Sequence, residues 1–240
     1  MRDMDTDRFY SLLDILRQQL GGPRQLLACD ASSGWPLQGV YFFFEVGEHR
    51  REKRDPRVVR VGTHALTGEN PDGATLWDRL DQHRGRQLGD PSGPHRSHSV
   101  FRRHVGTAII RRHQLGDEVL EDWYRYRRQP LEEQIELVVS EHIGAMPFLW
   151  LSVPDSKARY DIEAGAIGLL SRRAGDADPP SADWLGLHAH KKEIRDSGLW
   201  NIQQTSKPYD PGFLDLMQEQ LSAGDSGTHV VVPHQDWRTT

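Results

Sequence analysis

Four residues combine reactive chemistry with positions that call for an explanation: Tyr41, Arg79, His83 and Glu163. Tyr41 opens the run "GVYFFFE", which is too short and too aromatic for a helix and reads as a strand. "RVVRVGTH", residues 57 to 64, reads as a second strand, returned beside the first by the charged connection "GEHRREKRDP". Side chains two apart on a strand share a face, so Tyr41, Phe43 and Glu45 go together on one strand and Arg60 and Gly62 on the other. If those faces coincide, Arg60 lies near Tyr41. A cation beside a phenol favours the phenolate over a neutral group of pKa about 10 and would ready Tyr41 as a base. A tyrosine with its ring in the core and its hydroxyl at the rim satisfies the same pattern.

Arg79 and His83 are four apart in "ATLWDRLDQHRG", a short helix closed by Gly85, and they border the stripe of Leu76 and Leu80 that must pack on the sheet. An arginine there can grip a phosphate with two hydrogen bonds, and a histidine can position or donate a proton. An ordinary surface pair is the plainer alternative. Glu163 falls near Ala166, Ile167 and Leu170, on the apolar side of the helix "KARYDIEAGAIGLLSRR", where an unpaired carboxylate is costly. Its partner is either Arg159, one turn earlier, or a divalent cation with oxygen ligands.

The remaining elements must hold these residues. An N-terminal helix follows from Phe9, Leu12, Leu13, Leu16 and Leu20, and ends at "GGP". "NPDG" at 70 to 73 breaks the chain before the Arg79 helix. "VFRRHVGTAII" suits helix or strand, "LEEQIELVVSEHI" reads as a helix, and "MPFLWLSV" as a third strand. Beyond residue 172 the chain reads as irregular structure closed by one helix. The 240 residues suffice for one sizeable core. A net charge of -5 gives no bulk affinity for nucleic acid, so such binding needs a local patch. Residues 79 to 113, with eight arginines, five histidines and few acids, supply a candidate; a solvated basic surface is the other reading. A single cysteine, Cys29, rules out an intrachain disulfide and fits a reducing compartment. With no apolar run of membrane-spanning length and no signal-peptide pattern, a cytoplasmic protein is expected.

In this order, "GVY" (39 to 41), "RVG" (60 to 62), "LWDRLDQH" (76 to 83) and "IEAGAIGLLS" (162 to 171) resemble the GIY-YIG nuclease superfamily. The resemblance implies an α+β fold: a small three-stranded mixed or antiparallel sheet flanked by helices. The nuclease-like domain would span residues 37–172, with an N-terminal helical extension (1–36) and a C-terminal extension (173–240) packed on the core. It further implies phosphodiester hydrolysis with one divalent metal ion, Mg²⁺ or Mn²⁺, on nucleic acid, DNA before RNA. Tyr41 resembles the tyrosine that acts as general base, Arg79 the helix arginine that stabilises phosphate charge, and Glu163 the metal-binding carboxylate. His83 falls where members carry a second polar ring. The basic segment, through Arg84, His95, Arg96, His98, Arg102 and His104, would contact the nucleic-acid backbone.

Two departures stand out. Arg60 replaces the second motif tyrosine; it can favour a phenolate at Tyr41 but cannot act as a base, because arginine stays protonated. The amide often found after the glutamate helix is missing from "LLSRR", leaving Arg172 or a residue elsewhere to contact phosphate. The readings are therefore an endonuclease, a non-catalytic nucleic-acid-binding module of the same fold, and a protein whose basic loop contacts acidic partners.

Overall fold

A computed structural model describes residues 1–51, 54–64, 75–85 and 95–224. The turn expected at 70 to 73, the tip of the charged connection at 52 and 53, and the start of the basic loop with Arg86 lie outside the described residues. The chain runs α1 (Arg2–Gln19), β1 (Arg24–Gln25), β2 (Gly39–His49), β3 (Pro56–Thr63), α2 (Leu76–Arg84), α3 (Val100–Arg112), α4 (Asp117–Tyr124) and α5 (Glu132–Ala145). It continues through β4 (Pro147–Ser152), α6 (Ser156–Leu170), α7 (Lys192–Ser197) and α8 (Gly212–Gly224). The fold is α+β, and the sheet has the order β1-β4-β2-β3 with every pairing antiparallel. Beside the three expected strands it gains the two-residue β1, which pairs with the outer edge of β4.

Aromatic density in β2 follows from its central place, buried on both faces. Phe42 and Phe44 join the core beneath α1, α6 and α8, whereas Tyr41 and Phe43 join the opposite core with Phe101, Trp150 and Trp200. The registers Phe43↔Arg60 and Phe44↔Val58 skip Val59, a bulge that turns Val59 into the same core as Phe43. "VFRRHVGTAII" resolves as helix α3: the Ser99 hydroxyl accepts from the Arg102 backbone N–H at 3.2 Å and caps it.

The outer edge of β3 is not left bare. Trp200 N–H donates to the Val59 carbonyl at 2.7 Å, and the Asn201 side chain accepts from Val61 N–H at 3.1 Å while donating to Val61 C=O at 2.8 Å. This short segment stands in for a fifth strand and occupies an edge that would otherwise invite pairing. Trp184 and Trp200 Nε1–H both donate to the buried Glu45 carboxylate, at 2.9 and 3.1 Å. Burial opposes ionisation of Glu45, yet hydrogen bonds from His142, Trp200 and Trp184 hold its pKa below the ordinary value. The two segments expected as extensions thus contribute α1 and α8 to one core and Trp184 and Trp200 to the other. No helix among the described residues is long and apolar enough to cross a membrane.

Candidate active site

Tyr41 lies opposite Gly62 in the β2–β3 register. Its ring crosses that glycine so closely that an added Cβ would stand 2.3 Å from the hydroxyl oxygen. Only glycine admits the ring here, because the clash would be with the part of the tyrosine that carries its chemistry. The side chain is 1% exposed, and its hydroxyl meets His83 Nε2 at 2.7 Å.

Helix α2 delivers that histidine. Its first turn is fixed by the Asp78 carboxylate, which accepts from the Thr75 backbone N–H at 2.5 Å and from the hydroxyl at 3.0 Å. At the other end Arg102 donates to the carbonyls of His83 and Arg84, at 3.1 and 3.0 Å, placing a cation on the negative end of the helix. Gly85, at φ 70°, leaves room for this guanidinium. Arg102 is itself anchored to Glu136 at 2.6 Å and to the Ser140 hydroxyl at 3.0 Å.

His83 Nδ1 lies 2.8 Å from Ser99 Oγ. The Ser99 oxygen already accepts from Arg102 N–H, and among the described residues Nδ1 is the remaining acceptor for its hydroxyl proton. Of the two neutral tautomers, the one with Ser99 O–H donating to Nδ1 leaves Nε2–H to donate to the Tyr41 oxygen. Burial, reinforced by the charges of Arg79, Arg60 and Arg102, holds the His83 pKa well below the ordinary imidazole value, so the ring is neutral. In that tautomer the neutral ring supports the Tyr41 oxygen by donating to it.

Ser99→Ala removes the helix cap and the donor that sets the tautomer. It should lower stability by about 1–2 kcal/mol and activity by about tenfold, read by urea unfolding and single-turnover cleavage. Full activity in the variant would release His83 from the role assigned to it.

Glu163 is partly buried on α6. Burial raises its pKa to about 7 against the opposing pull of Arg60 and Arg79, which places both cations within electrostatic reach of the carboxylate. Arg159 turns elsewhere: its guanidinium donates to Gln38 Oε1 at 2.8 Å and to the Val153 carbonyl at 2.8 Å. Arg60, half-buried and opposite Phe43, lies 4.5 Å from the Phe101 ring centre and donates to the Trp200 carbonyl at 3.1 Å. Arg79 donates to Gln82 Oε1 at 2.7 Å and to the His98 carbonyl at 3.4 Å, with no carboxylate partner among the described residues. Tyr41, His83, Arg60, Arg79 and Glu163 thus come together from two strands and two helices.

A family model for the GIY-YIG domain matches residues 1–226. The chain belongs to the GIY-YIG family. No curated protein and no solved structure matches it. The GIY-YIG match runs through α1 and α8, beyond the 37–172 core where the motif resemblance lies.

Part of the expected nucleic-acid surface faces inward. Arg96 and Arg102 are fully buried, the first paired with Glu132 at 2.7 Å and the second with Glu136 at 2.6 Å, and His104 is 1% exposed. This corrects the sequence expectation for all three: they brace α3 and the 95–99 segment against α5 or lie beneath the surface, out of reach of a phosphate backbone. His95, at 2.6 Å from Glu132, is partly exposed. Arg84 is also partly exposed, and His98 is exposed beside Arg79. The residue that sequence reasoning missed is Asn201, whose amide fixes β3 between Arg60 and Gly62; its signal was the unassigned "SGLWN". Arg172, offered as a substitute for the amide, is exposed just beyond α6, with its backbone N–H bonded to the Ser197 carbonyl.

Proposed function

We propose that this GIY-YIG protein is a metal-dependent endonuclease that hydrolyses phosphodiester bonds, with DNA as the first substrate to test. One observation carries the reading: a tyrosine hydroxyl bonded to a neutral histidine lies in one cluster with two arginines that have no carboxylate partner, and a carboxylate that has no ion pair, among the described residues.

The donor set agrees with a single-carboxylate metal site. Among the described residues no three His, Cys, Asp or Glu side chains cluster as a metal cage, so Glu163 would be the one protein ligand. A carboxylate whose pKa is lifted by burial, with no hydrogen-bond donor among the described residues, gains most from a divalent cation. The metal would supply Lewis-acid stabilisation of the leaving oxygen. Tyr41, as its phenolate, accepts the proton of the attacking water as the new P–O bond forms and the scissile P–O bond breaks, while His83 Nε2–H steadies the phenolic oxygen. Arg79 and Arg60 face the equatorial phosphate oxygens, where charge builds in the transition state. Arg60 thus contributes charge at the position of the second motif tyrosine. The single, buried Cys29 supports a reducing, cytoplasmic setting.

The test is incubation of supercoiled plasmid with the protein and Mg²⁺ or Mn²⁺. Nicking or linearisation that stops on chelation is expected. Binding without any cutting would instead favour a non-catalytic module, the reading to which the replacement at Arg60 points.

A further inference from the structure

Past Arg60 the surface continues along α3 to a second group of cations that the proposed chemistry does not use. The Arg103 guanidinium lies between two tyrosines, 4.9 Å from the ring centre of Tyr124 and 5.1 Å from that of Tyr126. Lys191 Nζ lies 5.7 Å from the Tyr124 ring, and the His190 ring packs on the same tyrosine at 4.8 Å. Below them His104 is 1% exposed, and neither of its ring nitrogens has a hydrogen-bond partner among the described residues; the same holds for the buried Nε of Arg103.

Carboxylates that could neutralise this group are spent elsewhere. Glu121, within electrostatic reach of His190, pairs with Arg125, and Asp122 pairs with Arg127. Among the described residues no carboxylate pairs with Arg103, His104 or Lys191. Buried donors left open among like charges are unfavourable unless an anion joins them. Burial, followed by Arg103, Arg60 and Lys191, pulls the His104 pKa down to about 3, so this ring adds no charge of its own and lies between the proposed catalytic cation and the second group.

The tyrosines are placed deliberately by the fold. Trp123 Nε1–H donates to the Arg103 carbonyl at 3.0 Å, fixing the end of α4 to α3, and the chain then turns through "YRYRR" at 124 to 128. Tyr126 adopts φ 58° and remains 41% exposed. A bulky residue in the left-handed region is uncommon, and this one shows its ring to solvent next to a cation.

We propose that Arg103 and Lys191 bind a backbone phosphate of the nucleic-acid strand whose scissile bond lies at Arg60 and Glu163, and that Tyr126 stacks on a neighbouring base. This rests on the nuclease reading of the first site. An arginine beside aromatic rings can present its N–H fork to a phosphate, and an exposed ring accepts any base, which together suit strand binding without sequence preference.

The experiment measures binding apart from cleavage. A fluorescent single-stranded oligodeoxynucleotide and its duplex are titrated with the full chain carrying Glu163→Gln, alone and combined with Arg103→Gln, Lys191→Gln or Tyr126→Asn. Each charge substitution should weaken binding by about fivefold to tenfold and lower the salt slope by about one. Tyr126→Asn, which tolerates the left-handed backbone, should weaken single-strand binding about tenfold with the slope unchanged. Equal melting temperatures exclude unfolding, and Lys191, partly exposed, gives an independent answer if the Arg103 variant is unstable. Parental affinity and slope in both charge variants overturn the proposal, as does competition by inorganic phosphate at Arg103 without any effect of the substitutions on oligonucleotide binding. Cleavage by the chain with native Glu163 is scored separately: cutting with binding unaffected by the substitutions sinks only this site, and weakened binding without cutting sinks only the nuclease reading.

Discussion

Replacing Glu163 by glutamine should abolish metal-dependent cleavage, by about a thousandfold or more, while making the protein more stable at pH 8. The first effect follows from loss of the one proposed metal ligand, since such a cation supplies several kcal/mol of transition-state stabilisation. The second follows from linkage. The folded carboxyl has a pKa raised from 4.5 to about 7 by burial, so the native state holds a proton that the unfolded chain has already released. Its favourable contribution is fully present below pH 4.5 and is lost as pH rises through about 7, where the native protein must carry a poorly solvated charge. Glutamine has no proton to lose, so the variant should gain on the order of 2 kcal/mol over the parent at pH 8 and little at pH 4. Adding Mg²⁺ at pH 8 should raise the melting temperature of the parent and leave the variant unmoved. A variant less stable than the parent at pH 8 would instead make ionised Glu163 a structural partner of Arg60 and Arg79.

The same residue shows why the site was partly legible before the fold was known. A carboxylate on the apolar side of a helix is a local anomaly, visible from periodicity alone, and the glycine opposite Tyr41 is another. Strand alternation placed Arg60 and Tyr41 on one face correctly, with Phe43 rather than Tyr41 directly across from the arginine. Alternation could not reveal the bulge at Val59, because nothing in "RVVRVG" distinguishes a regular strand from one that skips a residue to meet the Trp200 backbone. Nor could it show that Glu45, on the Tyr41 face, serves to hold two tryptophans.

Charge was the least legible quantity. Eight arginines in one stretch suggest a surface, yet two of those assigned to nucleic acid are buried, each matched to an acid on α5 some thirty or more residues away. Burial of an arginine is decided by its long-range partner, and Glu136, on a helix whose pattern reads as ordinary, gives no local sign that it will receive Arg102. Arg103, one residue further, has no such acid among the described residues and lies against Tyr124 and Tyr126. Neighbouring arginines on one helix therefore have opposite fates.

Tyr41→Phe should lower single-turnover cleavage by about 10²–10⁴, the range for loss of a positioned general base, with substrate affinity unchanged. The ring keeps its packing against Phe43 at 5.6 Å and its crossing of Gly62, so the fold is retained. The variant does leave His83 Nε2–H without an acceptor, and because that ring is fully buried, stability should fall by about 1–2 kcal/mol. What separates a base from a merely positioned phenol is the pH profile. Without Tyr41, hydroxide from solution becomes the nucleophile, and the remaining rate should rise with pH more steeply than that of the parent. His83 is a poor replacement for the lost base, because burial and three arginines hold its pKa well below the ordinary imidazole value, so the protonated product of such a transfer is strongly disfavoured. A Tyr41→Phe protein that cuts within about threefold of the parent would remove the tyrosine from proton transfer. The attacking water would then have to lose its proton elsewhere, and Glu163, titrating near neutrality, is the group that the geometry would next place under test.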